Sequence, residues 1–101
     1  MNLSSTKDHR WRFVTNHANV LASIDRDPDV RLRDIAASVG ITERAAAQIV
    51  KDLEHAGYLT KTRDGRRNHY EVHADLRLRH ASHRHRTVGD LMRFLETGGT
   101  R

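Results

Sequence analysis

The segment of residues 32–65 restricts the fold of this chain more than any other. Apolar residues at helical spacing predict a short helix over Leu32–Val39 and a longer helix over residues 42–56. Gly40 lies between them, where a tight turn requires a residue that tolerates a left-handed backbone. A strand and an Asp64-Gly65 pair, typical of hairpin tips, follow directly. The predicted order is therefore helix, sharp turn, helix and β-hairpin.

Local signals set the ends of these elements. Thr42 is expected to cap the longer helix, because its hydroxyl can accept a hydrogen bond from a free backbone N–H group. Gly57 ends that helix, and the chain then turns back. Residues 59–63 and 67–73 are candidate strands, and the Asp-Gly pair between them favours a two-residue type I′ turn.

Two more helices are predicted outside this segment. Residues 11–25 place apolar side chains and His17 on one helical face, and the approach to Pro28 ends the helix. His17 is therefore expected in the core or at an interface. Residues 87–96 have the apolar spacing of a final helix, and residues 74–85 before it are predicted to be irregular and basic.

Composition limits the class of protein. The chain has 101 residues, which suits one small domain, and it has no cysteine, which excludes disulfides, thiolate zinc sites and cysteine catalysis. It has neither an apolar run long enough to span a bilayer nor a basic-then-apolar signal segment at its start. No catalytic motif is present. We therefore expect a cytoplasmic protein that is not an enzyme, needs no cofactor and has no membrane partner.

The positive charge is concentrated in one stretch. The chain has a net charge of +5 and a pI of about 10.4. Eight Lys and Arg residues but only three acidic residues lie between Lys61 and Arg86, so this stretch alone carries an excess equal to the net charge. A directed positive field of this kind favours a polyanionic partner.

Two sequence runs resemble winged helix-turn-helix transcriptional regulators of the ArsR/MarR type. They are DIAASVGIT at residues 34–42 and IVKDLEHAGYL at residues 49–59. The small, turn and apolar positions of that family are held by Ala36, Gly40 and Ile41. Residues 63–70 resemble the family's wing. The resemblance covers roughly residues 11–96 and implies an α+β, mostly α fold, with a three-helix core, a β-hairpin wing and an additional C-terminal helix.

The same reading divides the chain into four parts. The expected order is a flexible N-terminal segment at 1–10, a winged helix-turn-helix DNA-binding domain at 11–73, a basic segment with a C-terminal dimerisation helix at 74–96, and a flexible tail at 97–101.

The predicted partner is double-stranded DNA. A major groove admits an α-helix whose outward side chains meet base edges, and Arg44 suits guanine while Gln48 suits adenine. Lys51 is expected to meet phosphate, with Arg33 and Ser38 as weaker candidates. The full predicted DNA-binding set is Thr42, Glu43, Arg44, Ala47, Gln48, Lys51, Arg63, Arg66, Arg67 and Asn68.

A homodimer is expected, because two copies on a palindrome bind more tightly than one. The candidate dimer contacts are Trp11, Phe13, Val88, Leu91, Met92, Phe94 and Leu95. The alternative is that these residues complete the core of one chain. The predicted function is a sequence-specific regulator of transcription. The resemblance implies that it acts as a repressor, and its effector ligand is unknown.

Two other functions stay open. Metal-sensing members of the resembled family use His and acidic ligands near the C-terminal helix, which makes His80, His83 and His85 candidate ligands, although neighbouring arginines would repel a cation. The other possibility is a winged helix that binds proteins, whose mark would be a neutral or acidic face on the second helix of the turn. Arg44 and Lys51 argue against it.

Overall fold

The computed structural model describes residues 13–97 and has the predicted fold class. In chain order the elements are α1 (Asn16–Arg26), α2 (Leu32–Val39), α3 (Glu43–His55), β1 (Leu59–Asp64), β2 (Arg67–Val72), a short 3-10 helix (Ala81–His83) and α4 (Val88–Thr97). This is a winged helix-turn-helix with an additional C-terminal helix. Trp11, the predicted flexible segment at 1–10 and residues 98–101 of the predicted tail lie outside the described residues.

The first helix begins later than the sequence pattern predicted. Residues 13–15 are not helical, and the Thr15 hydroxyl accepts a hydrogen bond from the Ala18 N–H at 3.2 Å. This cap satisfies one of the free N–H groups of the first turn, so the helix starts at Asn16. The predicted start at residue 11 was wrong because apolar spacing continues past a capping residue without marking it.

The helix-turn-helix itself matches the prediction closely. Gly40 takes a left-handed backbone with φ +84°, and the N–H groups of Gly40 and Ile41 both donate to the Ala36 carbonyl. The Thr42 hydroxyl then accepts from the Ala45 N–H at 3.0 Å and caps α3. The turn and the cap are formed by neighbouring residues, which is why both could be predicted.

The core lies among α1, α2 and α3 and is completed by α4 and the base of the wing. Val20, Ile24, Ile35 and Met92 are its largest fully buried side chains. Val88 and Met92 are each only 2% exposed. Both therefore pack within one chain and do not face a second copy, which corrects the dimer expectation for these two residues.

The wing is a two-stranded antiparallel hairpin. Its register runs from Leu59 opposite Val72 to Asp64 opposite Arg67, which leaves Gly65 and Arg66 as the loop. Gly65 has φ +64°, and within residues 13–97 no residue other than glycine has a positive φ. The type I′ prediction was therefore wrong, because that turn needs positive φ at both loop positions; glycine at the first position alone fits a type II′ turn.

The last helix begins with a reciprocal cap. The Asp90 N–H donates to the Thr87 hydroxyl at 3.1 Å, and the Thr87 N–H donates to the Asp90 carboxylate at 3.0 Å. The same bond from the Thr87 N–H is the main reason that the pKa of Asp90 lies below its usual value. This arrangement satisfies two backbone groups at the start of α4.

Replacing Thr42 by alanine is expected to lower the free energy of unfolding by about 1 kcal/mol, because the cap of α3 is lost. Urea unfolding followed by circular dichroism measures this. Thr42→Ser keeps the hydroxyl and should stay near the parent stability. Equal stabilities for the alanine and serine variants would contradict the capping role.

Glu96 is expected to give a pH-dependent stability. Burial, and next the carboxyl group of Asp25, raise the pKa of Glu96 from 4.5 to about 6. The folded chain then binds the proton more tightly than the unfolded chain, so stability falls as pH rises from about 4.5 to about 6. Glu96→Gln should flatten this part of the stability curve in urea unfolding between pH 4 and 7. Glu71→Gln, on the exposed wing, should leave the curve unchanged; a Glu96→Gln curve that keeps the parent slope would contradict the assignment.

Candidate nucleic-acid interface

The outward face of α3 carries the predicted groove residues. Glu43, Arg44, Gln48 and Lys51 are exposed and Ala47 is half-buried. These side chains point outward because the opposite face of α3 is buried, through Ala46, Ile49, Val50 and Leu53. Within residues 13–97 the side chains of Arg44 and Lys51 have no hydrogen bond or ion pair. Their charges are therefore available to a ligand.

Asp52, which is not among the predicted DNA-binding residues, holds two side chains at this face. Asp52 accepts from Gln48 Nε2 at 3.1 Å and from His17 Nε2 at 2.8 Å. The bond from His17, and then the bond from Gln48, hold the pKa of Asp52 below its usual value. The contact between His17 and Asp52 joins α1 to α3. The spacing of Gln48 and Asp52 by four residues could have shown half of this network, because such pairs are neighbours on a helix.

The network also corrects the prediction for His17. Its side chain is 48% exposed and lies at the surface against Asp52, not in the core. The Gln48 amide keeps its oxygen and its second N–H free for a ligand, because Asp52 uses only one N–H. Gln48 is therefore held in one orientation while it retains one donor and one acceptor.

The wing tip carries two exposed arginines. Arg63 Nε donates to the Gly65 carbonyl at 3.3 Å, which braces the turn. Arg66 occupies the loop and has no hydrogen bond or ion pair within the described residues. Its guanidinium is the most available cation of the wing.

The other two predicted wing residues are partly committed to the fold. Arg67 donates to the Asp29 carbonyl at 2.9 Å. Asn68 is half-buried, and its amide nitrogen lies 3.4 Å from the Tyr70 hydroxyl, to which it donates. Part of the Asn68 side chain is therefore engaged within the wing.

The wing is tied to the loop between α1 and α2. His69 Nδ1 donates to the Asp29 carboxylate at 2.7 Å, and the Tyr70 N–H donates to the Pro28 carbonyl at 2.9 Å. Together with the bond from Arg67, these contacts fix one strand of the wing against the helical body. No local sequence signal predicts them, because the partners lie about 40 residues apart.

A cleft separates the wing from the start of α2. It has a volume of about 320 Å³ and is lined by Asp29, Val30, Arg31, Leu32, Arg66, Arg67 and Asn68. Three arginines against one carboxylate make it cationic. Arg33 is exposed nearby on α2, whereas the Ser38 hydroxyl lies 3.3 Å from the Ser23 hydroxyl on α1.

The histidines of the basic segment are not arranged as a ligand set. His80 Nδ1 accepts from the Ser82 N–H at 3.1 Å, and its ring centre lies 5.4 Å from that of His83. Across residues 13–97, no group of three or more His, Cys, Asp or Glu side chains is placed to hold a metal ion. The His80, His83 and His85 alternative therefore has no assembled site among these residues.

The remaining dimer candidates differ in exposure. Phe13 is 92% exposed and Phe94 is 73% exposed, which is unusual for side chains of this size. Leu91 and Leu95 are half-buried and pack against the core. Among the described dimer candidates, Phe13 and Phe94 are thus the two whose side chains are largely exposed.

Comparison with known proteins agrees with this geometry. Residues 15–60 match a family described as winged helix-turn-helix DNA-binding. This part of the chain is therefore similar to winged helix-turn-helix DNA-binding domains. The match covers α1, the helix-turn-helix and the start of the wing, and the predicted resemblance to regulators of the MarR type is confirmed. A search of curated proteins found no match.

Two solved structures of the PcaV transcriptional regulator from Streptomyces coelicolor share the fold. The structure in complex with its natural ligand is 27% identical over 58% of this chain and 44% of that chain, with a TM-score of 0.52. The other is 22% identical over 83% of this chain and 55% of that chain, with a TM-score of 0.51. The winged helix-turn-helix chain therefore aligns with only about half the length of these regulators. Both neighbours are transcriptional regulators and not enzymes.

No helix within residues 13–97 has both the length and the apolar character that crossing a membrane requires.

Asp52→Asn is expected to flatten the acid limb of the stability curve. Because folding lowers the pKa of Asp52, this carboxylate stabilises the fold at neutral pH, and that contribution is lost as pH falls below its usual value of 3.8. The variant lacks the titrating group and should lose less stability than the parent between pH 4 and pH 2 in urea unfolding. Asp75→Asn, which changes an exposed carboxylate outside this network, is the control. Parallel acid limbs for the parent and Asp52→Asn would contradict the network.

Proposed function

We propose that the chain is a sequence-specific regulator that binds double-stranded DNA as a homodimer and represses transcription in the cytoplasm by occluding its site. In this proposal α3 enters the major groove, and the wing tip reaches the backbone or the adjacent minor groove. The observation that carries it is the pair of uncommitted cations on α3, Arg44 and Lys51, beside a wing that is fixed to the body and ends in Arg66.

Base reading would rest on two side chains. Arg44 presents the planar fork that pairs with the O6 and N7 atoms of guanine. Gln48 offers one free N–H and its oxygen, which suits the N7 and N6 positions of adenine, and Asp52 holds that amide in place. Because Ala45, Ala46 and Ala47 follow Arg44, the helix offers few other base contacts near its start.

Affinity would come mainly from phosphate contacts. Lys51 lies about one helical turn beyond Gln48, and Arg66 and Arg63 lie at the wing tip. The cationic cleft between the wing and α2 adds Arg31 to this surface. Such contacts position the protein on the duplex and make binding salt-dependent without reading sequence.

Dimerisation would extend the contact with DNA from one half-site to two. One helix and one wing cover a single half-site, and two linked units gain affinity through effective concentration. Phe13, just before α1, and Phe94, on α4, are both largely exposed and are proposed for an apolar contact with the second copy. Trp11, which lies outside the described residues, is proposed for the same contact.

Selection of binding sites from a random duplex library tests this function. A regulator of the proposed kind should enrich one motif, and a dimer should enrich two inverted half-sites about one helical turn apart. Duplexes recovered without any common motif, or no recovery at low salt, would overturn the proposal.

The selected duplex then allows the two kinds of contact to be separated. Arg44→Lys should weaken binding by about 1–3 kcal/mol and relax the preference at one base pair, because lysine lacks the bidentate fork. Arg66→Gln should lower the slope of log K against log salt by about one and weaken all duplexes equally. Fluorescence anisotropy across a salt series measures both effects.

Arg66→Lys is the matched control, because it keeps the charge and should keep the salt slope. If Arg44→Lys retained the full base preference, or if Arg66→Gln retained the parent slope, the corresponding contact would be refuted.

A further inference from the structure

The chain segment between β2 and α4 begins and ends at neighbouring points, because Ala74 and Gly89 are in contact. The Gly89 N–H donates to the Ala74 carbonyl at 2.8 Å. A Cβ atom at position 89 would lie 3.1 Å from both the Cβ and the carbonyl oxygen of Ala74, so the two strands of the neck touch. Residues 75–87, called the basic loop below, are therefore not needed to connect β2 to α4. Compact loops with adjoining ends are frequently functional.

The basic loop is held in a defined shape. The Val88 N–H donates to the Leu76 carbonyl at 2.7 Å, and the Leu78 N–H donates to the Arg86 carbonyl at 3.0 Å. Across the loop, Arg77 Nη1 donates to the Arg84 carbonyl at 3.1 Å. Leu76 and Leu78 pack against the core. A surface that served only for solubility would not need this bracing.

The charge on the loop is mostly positive. Residues 75–87 contain four arginines and three histidines but a single acidic residue, Asp75. Every residue from Arg79 to Arg86 is exposed. Within residues 13–97 the side chains of Arg79 and Arg84 have no hydrogen bond or ion pair. The loop thus presents a second cationic surface besides α3 and the wing tip.

We propose that the basic loop binds backbone phosphates of the same DNA duplex, outside the stretch that α3 and the wing tip contact. The proposal rests on the proposed function, since it needs a duplex already bound by the helix-turn-helix. Phosphate is the favoured ligand because four arginines against one loop carboxylate leave a net positive charge, which attracts a polyanion whatever its base sequence.

The separation between the start of the loop and the wing tip supports separate contacts. The loop begins at the base of the wing, next to the Leu59 and Val72 pair, whereas Arg66 lies at the tip. Strands of six residues separate these points, which corresponds to about 20 Å. Along a duplex this equals roughly six base pairs. The loop would therefore lengthen the footprint without adding sequence preference.

Duplex length separates this contact from those of the helix and the wing. The selected site is prepared in two forms, one trimmed to the stretch that α3 and the wing cover and one extended by random flanks. Arg79→Gln/Arg84→Gln removes two exposed charges that support no contact in the fold, and Arg79→Lys/Arg84→Lys is the charge-retaining control. Thermal unfolding confirms that both variants are folded.

The glutamine variant should bind the extended duplex about tenfold more weakly than the parent at low salt. It should also show a salt slope lower by about two on that duplex. The lysine variant should retain the parent affinity. On the trimmed duplex all three proteins should bind equally, and hydroxyl-radical protection of the flanks should appear with the parent and disappear with the glutamine variant.

Several outcomes would overturn the proposal. Equal binding of the extended duplex by the parent and the glutamine variant would remove the contact. An equal loss on the trimmed and extended duplexes would place the loop on the same phosphates as the wing. A loss confined to single-stranded RNA would reassign the loop to RNA. If the parent failed to bind even the trimmed duplex, the proposed function itself would fail, and that result is distinct from the others.

Discussion

The burial of one face of α3 is the constraint on which the rest of the structure depends. Ala46, Ile49, Val50 and Leu53 pack against the other helices, and a helix has only one rotation that buries all four. That rotation also determines which side chains face outward. Turning α3 by a single residue, about 100°, would bring charged groups into the core. The core therefore specifies the surface offered to a ligand as firmly as it specifies the fold.

Prediction from the sequence succeeded where a structure is formed by neighbouring residues. The bounds of α2, the left-handed Gly40 and the Thr42 cap each depend on contacts within about five positions. Apolar periodicity also found the last helix, but it shows only that a face is buried and not against what. Val88 and Met92 were assigned to a dimer for that reason, whereas they complete the core of one chain.

The parts of the candidate site that escaped prediction are long-range. His17 meets Asp52, and His69 meets Asp29, across 35 and 40 residues. In both pairs a histidine forms a hydrogen bond with a carboxylate that lies near the surface proposed to approach phosphate. Residue type and spacing contain no information on such packing.

The contact of Ala74 with Gly89 has a consequence for how this chain can change. Because Ala74 and Gly89 are already in contact, insertions or deletions within the exposed residues 79–86 need not alter the path of β2 or α4. Leu76, Leu78 and Val88 connect the segment between Ala74 and Gly89 to the interior. The length and charge of residues 79–86 can therefore diverge between relatives, or be redesigned, while the helix-turn-helix stays as it is.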